Sequence, residues 1–332
     1  MSSAEYERVE RMKAIVVTKH GGPEVLSLAD AEVPKVEPGQ VLVRIKVAGV
    51  NYVDVYQRSM PDRSTVPFTP GREASGIVES VGSKAKRFKT GDRVAFSGEI
   101  GAYSEYIAVN EDRLIPLPEK MSFEEGAAFP LQGMTAQYLL FEFRKITPGT
   151  TVLIHAAAGG MGLLLVQWAK HLGATVFGTV STRAKAELAK QAGADHVINY
   201  AEDDFVSGIR ALTDGKGVEL IIDGVGKTTF TKDLDAVSNR GTVVIYGAAS
   251  GPADPIYPNA LQPKSITVCG GSLFNYIVTQ KELEKRSNDV VKGITEGWLK
   301  LTLDHVFPLD QASEAHRLLE SRKSTGKILL SV

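Results

Sequence analysis

From Lys13 to about Val109 apolar residues come in short runs, among them AIVVT, QVLVRIKVAGV, ASGIVESVG and GDRVAF, cut by Gly, Pro and Asp. That is the texture of β-strands in a β-rich, barrel-like domain. Between Ser122 and Phe143 the period changes to a helical one, and Ser122 with Glu125 three residues on forms a capping box at its start. From Pro148 the runs TVLIH, ATVFGTV, HVINY, VELIIDGV, GTVVIYG and SITVCGG alternate with helical stretches, which predicts a doubly wound α/β parallel sheet. After Asn275 a charged helix leads to a last strand, KILLSV, that cannot easily join the sheet just completed. It is expected to return to the first domain. The predicted division is a tail over 1–12, a β-rich domain over 13–133 and 279–332, and a nucleotide-binding domain over 134–278.

The strongest local signal lies where the first of these parallel strands ends. TVLIHAAAGGMG runs from an apolar strand through a glycine-rich turn into the amphipathic LLLVQWAKHLG, the order of a dinucleotide-binding βαβ unit. Gly159, Gly160 and Gly162 lack the Cβ atoms that would hold a pyrophosphate off the backbone. The helix N-terminus beyond them offers unpaired N–H groups and partial positive charge. The turn Ala158-Gly159-Gly160-Met161-Gly162 is therefore the candidate cradle, with Ala157 in place of the usual first glycine.

The next strand, ATVFGTV, is expected to end beside the adenosine ribose, where an NAD enzyme places a carboxylate. Here the text is Val180-Ser181-Thr182-Arg183-Ala184-Lys185, and no acid occurs between Gly173 and Glu187. A carboxylate would repel a ribose 2′-phosphate. Ser181 and Lys185, with Arg183 beside them, attract one through charge-assisted hydrogen bonds, so NADPH is the expected cofactor. The alternative for Arg183 and Lys185 is an ordinary solvated first helical turn.

Composition narrows the classes. The 332 residues are 43% apolar and 23% charged, with a formal net charge of −1, ordinary for a soluble globular protein and without general attraction for nucleic acid or anionic membrane. Cys269 is the only cysteine, which removes intrachain disulfides and cysteine-based zinc clusters and fits a cytoplasmic protein. It lies in an apolar strand and reads as a small packed hydrophobe. The six histidines show no metal spacing, and no apolar run reaches the roughly 20 residues of a membrane span. The charged MSSAEYERVERM lacks the apolar stretch of a secretory signal.

MKAIVVTKHGGPEVL, PGQVLVRIKVAGVNYVDVYQRS, PGREASGIVESVG, GDRVA, GAYSEY, HAAAGGMG and ESRKSTGKILL, in this order along almost the whole chain, resemble the medium-chain dehydrogenase/reductase superfamily. Within it the chain is similar to the zinc-independent quinone oxidoreductases, the zeta-crystallin-like family. The resemblance implies a GroES-like catalytic domain interrupted by a Rossmann domain, and a homodimer paired through the Rossmann edge strand that carries SITVCGG. Aligned on these motifs, the catalytic zinc ligands of the alcohol dehydrogenases fall at Asn51, Arg72 and Leu131. Arg and Leu have no lone pair to give, and Asn is a poor zinc ligand. No metal is expected, and Arg72 reads as structural, paired with Glu73.

Without a Lewis acid the chemistry shifts towards acceptors that are already electron-poor, quinones and α,β-unsaturated carbonyls. The resemblance places Asn51 beside the nicotinamide, as a donor to it or to the substrate carbonyl, and Tyr56 offers a phenolic O–H as donor or proton source. Both also fit a polar segment closing a barrel strand. Thr135 matches the threonine facing the nicotinamide, unless it back-bonds its own helix. Tyr200 and Arg322 match further 2′-phosphate contacts, Arg322 equally fitting a surface ion pair. Gly247 matches a backbone contact to the nicotinamide. Asn51, Tyr56 and Thr135 are the catalytic candidates. The activity implied is NADPH:quinone oxidoreduction, by one or two electrons. An enone or enal double-bond reductase is the alternative, and a non-catalytic RNA-binding or structural role ranks below both, because no basic patch with interleaved aromatics is present. The loop Ser59-Met60-Pro61-Asp62-Arg63-Ser64 lacks the aromatic that relatives carry there.

Overall fold

A computed structural model describes residues 10–332. The chain divides into two compact units, the first comprising the residues up to Leu131 and Leu303–Val332, the second Gln132–Thr302. In the first unit β1 (Arg11–Val16) and β2 (Ser27–Glu32) form an antiparallel pair. Strands β3 (Gln40–Val50), β4 (Glu73–Val81), β5 (Arg93–Ser97), β6 (Tyr106–Asn110) and β7 (Leu114–Pro116) follow, with helix α1 (Tyr52–Ser59) between β3 and β4 and α2 (Phe123–Ala128) after β7. The capping box at α2 is in place: Glu125 N–H donates to Ser122 Oγ at 3.1 Å, and Ser122 N–H to Glu125 Oε2 at 2.8 Å.

The second unit opens with α3 (Pro130–Phe141), whose first two residues still belong to the first unit. The strands β8 (Thr151–Ile154), β9 (Thr175–Val180), β10 (His196–Asn199), β11 (Val218–Asp223), β12 (Val237–Ile245) and β13 (Thr267–Gly270) follow. All pair in parallel, in the order β10-β9-β8-β11-β12-β13. This is the doubly wound order, which brings the C-terminal ends of β8 and β11 together at its switch point. Helices α4 (Gly160–His171), α5 (Arg183–Gln191), α6 (Phe205–Leu212) and α7 (Phe230–Ala236) connect the strands. The central strands are buried on both faces, as near-continuous apolar runs require.

Helix α8 (Gln280–Thr295) corrects the predicted boundary at 279. Buried Arg286 donates to Gln137, to Glu142 at 2.9 Å and to the Tyr276 carbonyl at 2.8 Å, and Val290 lies against Gly133. These contacts tie α8 to α3 inside the second unit. The predicted tail also ends too late, since Arg11 and Met12 already belong to β1; residues 1–9 of that tail lie outside the described part of the chain. β14 (Leu303–Pro308), α9 (Ala312–Glu320) and β15 (Lys327–Ser331) complete the first unit, in which the sheet runs β14-β15-β3-β4-β5-β7 with β6 also on β3. The returning strand is thus β15, antiparallel to β3 with Leu329 opposite Gly49.

A buried polar chain fixes α1 to this returning segment. Arg58, fully buried, grips Glu320 with two hydrogen bonds of 3.1 and 2.9 Å and donates to His316 Nδ1 at 3.2 Å. Because a guanidinium can only donate, Nδ1 is the acceptor and the ring proton sits on Nε2, directed at Tyr103 Oη 3.1 Å away. Tyr103 then donates to Asp54 Oδ2 at 3.0 Å, which also accepts the Asn51 N–H at 2.9 Å. Burial pushes Asp54 up to about 7. Burial and then the Arg58 charge push His316 down to about 3.

His316 folds neutral but takes a proton in the unfolded chain near pH 6.5, so the unfolded state binds more protons below that value and stability falls with pH. Relative to His316→Gln, the wild type is expected to lose about 2 kcal/mol of unfolding free energy between pH 7.5 and 5. Urea titrations at the two pH values measure it, and a gap that does not change with pH disproves the buried neutral ring.

Candidate functional site

The glycine-rich turn sits at the C-terminal end of β8. Gly159 is the N-cap of α4 and supplies no side-chain cap, whereas Ser122, Thr182, Asp204 and Thr279 cap α2, α5, α6 and α8. The first-turn amides of Gly160, Met161 and Gly162 are left to an external acceptor. Ala156, in the left-handed conformation at φ 50°, turns its carbonyl under the helix, where it accepts the Gly159 N–H at 2.9 Å. A Cβ on Gly162 would stand 2.2 Å from that carbonyl oxygen. Ala157, which replaces the first glycine, is buried and donates its N–H to the Thr179 carbonyl at 3.0 Å. Its methyl lies where a Cβ on Gly178 would come within 2.7 Å, so the missing glycine is offset by one on the neighbouring strand. Ala158 is buried beside it.

Ser181 follows β9 directly, Thr182 caps α5 by accepting the Lys185 N–H at 3.2 Å, and Tyr200 follows β10 with its N–H on the Val180 carbonyl at 3.0 Å. Ser181, Lys185 and Tyr200, the last 51% exposed, thus gather at the ends of two adjacent strands. Arg183 instead reaches Glu202 at 3.2 Å in an exposed ion pair, a carboxylate that linear spacing did not reveal. Gly247 follows β12, and a Cβ there would meet the Gly224 carbonyl oxygen at 2.7 Å. The constraint on this residue is already set by the neighbouring strand end. Thr135 is buried on α3.

Behind the turn lies a cluster that the sequence reading passed over. His155 Nε2 is 2.7 Å from Asp233 Oδ1 and its Nδ1 is 2.8 Å from Thr179 Oγ1. Burial works against the His155 charge, but the adjacent Asp233 carboxylate outweighs it and raises the pKa. Asp223 closes the turn after β11 by accepting the N–H groups of Val225 and Gly226 at 2.6 and 3.1 Å. His155 thus locks the root of the glycine turn to β9 and α7.

In the first unit two of the three residues at the zinc-ligand positions, Asn51 and Leu131, meet around a carboxylate. Glu73 is fully buried; its Oε1 accepts the Leu131 N–H at 2.5 Å, and its Oε2 accepts Asn51 Nδ2 at 2.9 Å and Lys327 Nζ at 2.5 Å. Lys327, only 3% exposed, also donates to Asn51 Oδ1 at 2.7 Å, and Asn51 Nδ2 gives its second hydrogen to the Gly49 carbonyl at 3.3 Å. Gly49 floors the cluster, since a Cβ there would lie 2.5 Å from Glu73 Oε2. Glu73 is therefore not the partner of Arg72, as expected from adjacency: the Arg72 guanidinium donates to the Gly98 carbonyl at 2.8 Å. Lys327 was missed, although a lysine opening the apolar run ILL was a usable signal. Tyr56 stands on α1 with its ring 6.2 Å from that of Tyr52. Arg322, left-handed at φ 59°, lies against the Tyr52 hydroxyl in the first unit, whereas Ser181 and Lys185 belong to the second.

These residues do not fit a catalytic zinc. The Asn51 oxygen faces an ammonium, Arg72 carries its own positive charge, and Leu131 contributes a backbone donor. Among the described residues no three His, Cys, Asp or Glu side chains come together to hold a metal ion.

A β-unit split in sequence and closed by the C-terminal strand, with a six-stranded parallel sheet inserted, is the medium-chain dehydrogenase/reductase architecture. Residues 37–119 match the profile of the alcohol dehydrogenase GroES-like domain, and residues 160–290 that of the zinc-binding dehydrogenases. The chain is 40% identical over 321 residues to a quinone oxidoreductase of Pseudomonas aeruginosa, covering 96% of this chain and 99% of that one. It is 40% identical over 326 residues to a 2-haloacrylate reductase of a Burkholderia species, covering 96% and 98%. The crystal structure of an Escherichia coli quinone oxidoreductase complexed with NADPH matches with a TM-score of 0.92 at 40% identity, covering 97% of this chain and 99% of that chain. The chain belongs to the quinone oxidoreductase family.

Gly162→Ala is expected to lower stability by about 1–3 kcal/mol, because the methyl must displace backbone. Urea denaturation checks it; unchanged stability means that the turn is not packed as described.

Proposed function

We propose that the protein is an NADPH-dependent, zinc-independent quinone reductase. The observation that carries this is the pairing of an uncapped glycine-turn helix with a β9 end that bears Ser181 and Lys185 and no carboxylate of its own. NADPH, when bound, supplies a hydride. The amides of Gly160, Met161 and Gly162, with Ala158 and Gly159 shaping the turn, hold the pyrophosphate. Ser181 and Lys185 bind the 2′-phosphate, with Tyr200 and Arg322 as further candidate contacts. Thr135 and the Gly247 backbone position the nicotinamide. Because Asn51, Arg72 and Leu131 do not fit a zinc ion, the acceptor is one that delocalises incoming charge itself, which favours quinones and conjugated carbonyls. Tyr56 offers the phenolic proton.

The similarity to a 2-haloacrylate reductase favours a second reading, the saturation of an α,β-unsaturated carbonyl. Products separate the two: hydroquinone from a quinone, or a reduced C=C bond. We further infer a cytoplasmic homodimer paired along β13. Its Cys269 thiol, pushed up to about 11 by burial, stays protonated in that strand; among the described residues no helix is long and apolar enough to cross a membrane.

Steady-state turnover with NADPH and NADH against quinones, enals and simple ketones tests the reading, with quinones expected fastest and simple ketones inert. The double variant Ser181→Asp/Lys185→Ala is expected to lower the NADPH-over-NADH preference in kcat/KM at least about 100-fold, some 2.7 kcal/mol of lost phosphate recognition. Retained preference shows that the 2′-phosphate lies elsewhere.

A further inference from the structure

We propose that Lys327 is a positioning residue for acceptor reduction, acting through Asn51 as a fixed cation where the metal-dependent relatives place their metal. The inference rests on the reductase reading above. Two of the three positions that would ligate zinc, Asn51 and Leu131, converge on Glu73, and the positive charge among them is the Lys327 ammonium, 2.5 Å from Glu73 Oε2 and 2.7 Å from Asn51 Oδ1.

The two hydrogens of Asn51 Nδ2 are held unequally. One makes a firm 2.9 Å bond to Glu73; the other reaches the Gly49 carbonyl only at 3.3 Å. Lys327, bound to Oδ1, fixes which end of the carboxamide is oxygen and draws electron density from the nitrogen. The loosely held N–H therefore becomes a stronger donor, and its long bond to the Gly49 carbonyl costs little to give up. In the reaction the hydride leaves the cofactor as its C–H bond breaks, NADP⁺ remains, and a new bond forms at the acceptor. The electron pair displaced through the conjugated system ends on the acceptor oxygen, which a proton later neutralises. The polarised Asn51 N–H is the donor for that oxygen, and the positive charge behind it is covalently built in. Glu73 holds the ammonium in place. A purely structural network would satisfy both ends of the buried carboxamide as well, and differs from a positioning role in leaving the acceptor dependence unchanged when the Lys327 charge is lost.

The test compares wild type, Lys327→Met, Lys327→Arg, Asn51→Ala and the double variant Asn51→Ala/Lys327→Met. Lys327→Met is expected to lower kcat about tenfold to a hundredfold, less than the hundredfold or more that follows loss of an oxyanion donor itself. NADPH affinity should stay within about twofold, because the cradle lies in other residues. The loss should be largest for the least electron-poor acceptors, enals, and smallest for benzoquinone. It should vanish in the Asn51→Ala background, and Lys327→Arg should recover part of it. A readout independent of turnover is the ionisation of 4-nitrophenol bound to the NADP⁺ complex, followed by phenolate absorbance. Its ionisation constant should fall at least about tenfold in Lys327→Met. If Lys327→Met does not fold, Lys327→Gln, which keeps a donor without the charge, carries the same comparison.

Equal losses across acceptors, additive effects of the two substitutions, unchanged nitrophenol ionisation, or a loss of NADPH binding in step with melting temperature would each overturn the proposal while leaving the reductase reading intact. Wild-type protein that reduces no conjugated acceptor overturns both.

Discussion

A carboxylate with no access to water is costly unless its charge and both oxygens are met, and at Glu73 all three are met. Its partners come from the end of β3, the start of α3 and the first residue of β15. Removing one member of such a buried set costs on the order of 3–5 kcal/mol, because the remaining charge is stranded. The neighbouring chain from Glu320 through Arg58, His316 and Tyr103 to Asp54 ties α9 to α1, with Asp54 Oδ1 left without a hydrogen-bond partner. Between them the two networks set the orientation of the segment from Asn51 to Tyr56, on which the proposed chemistry depends.

The second unit answers a different constraint. Its task is to let backbone approach a charged ligand, and the solution is the removal of atoms: Gly162 over the Ala156 carbonyl, Gly178 beneath Ala157, and a helix start with no side-chain cap. The polar cluster of His155, Thr179 and Asp233 then holds the turn from behind.

Much of this was legible in the sequence because it is written in local patterns. The alternation of six strand runs with helices fixed the parallel sheet, the capping box at Ser122 marked α2, and the glycines marked the cradle. The long-range side-chain partnerships were not legible. Glu73 was assigned to its neighbour Arg72, while its true partner Lys327 is 254 positions away and is brought back only by sheet pairing. Arg183 was read as a phosphate-facing cation beside Lys185, and the fold gives it Glu202 from the end of the next strand. The charged helix α8 was assigned to the first domain; Arg286 and Val290 place it against α3.

Because the first unit is made from both ends of the chain, its charges are compensated late. During synthesis, β3 and β4 emerge long before the lysine that pairs with Glu73, whereas the second unit is contiguous in sequence. A polypeptide interrupted before position 327 would carry an orphan carboxylate in the middle of its barrel. The Lys327–Glu73 pair therefore couples closure of the barrel to the arrival of β15.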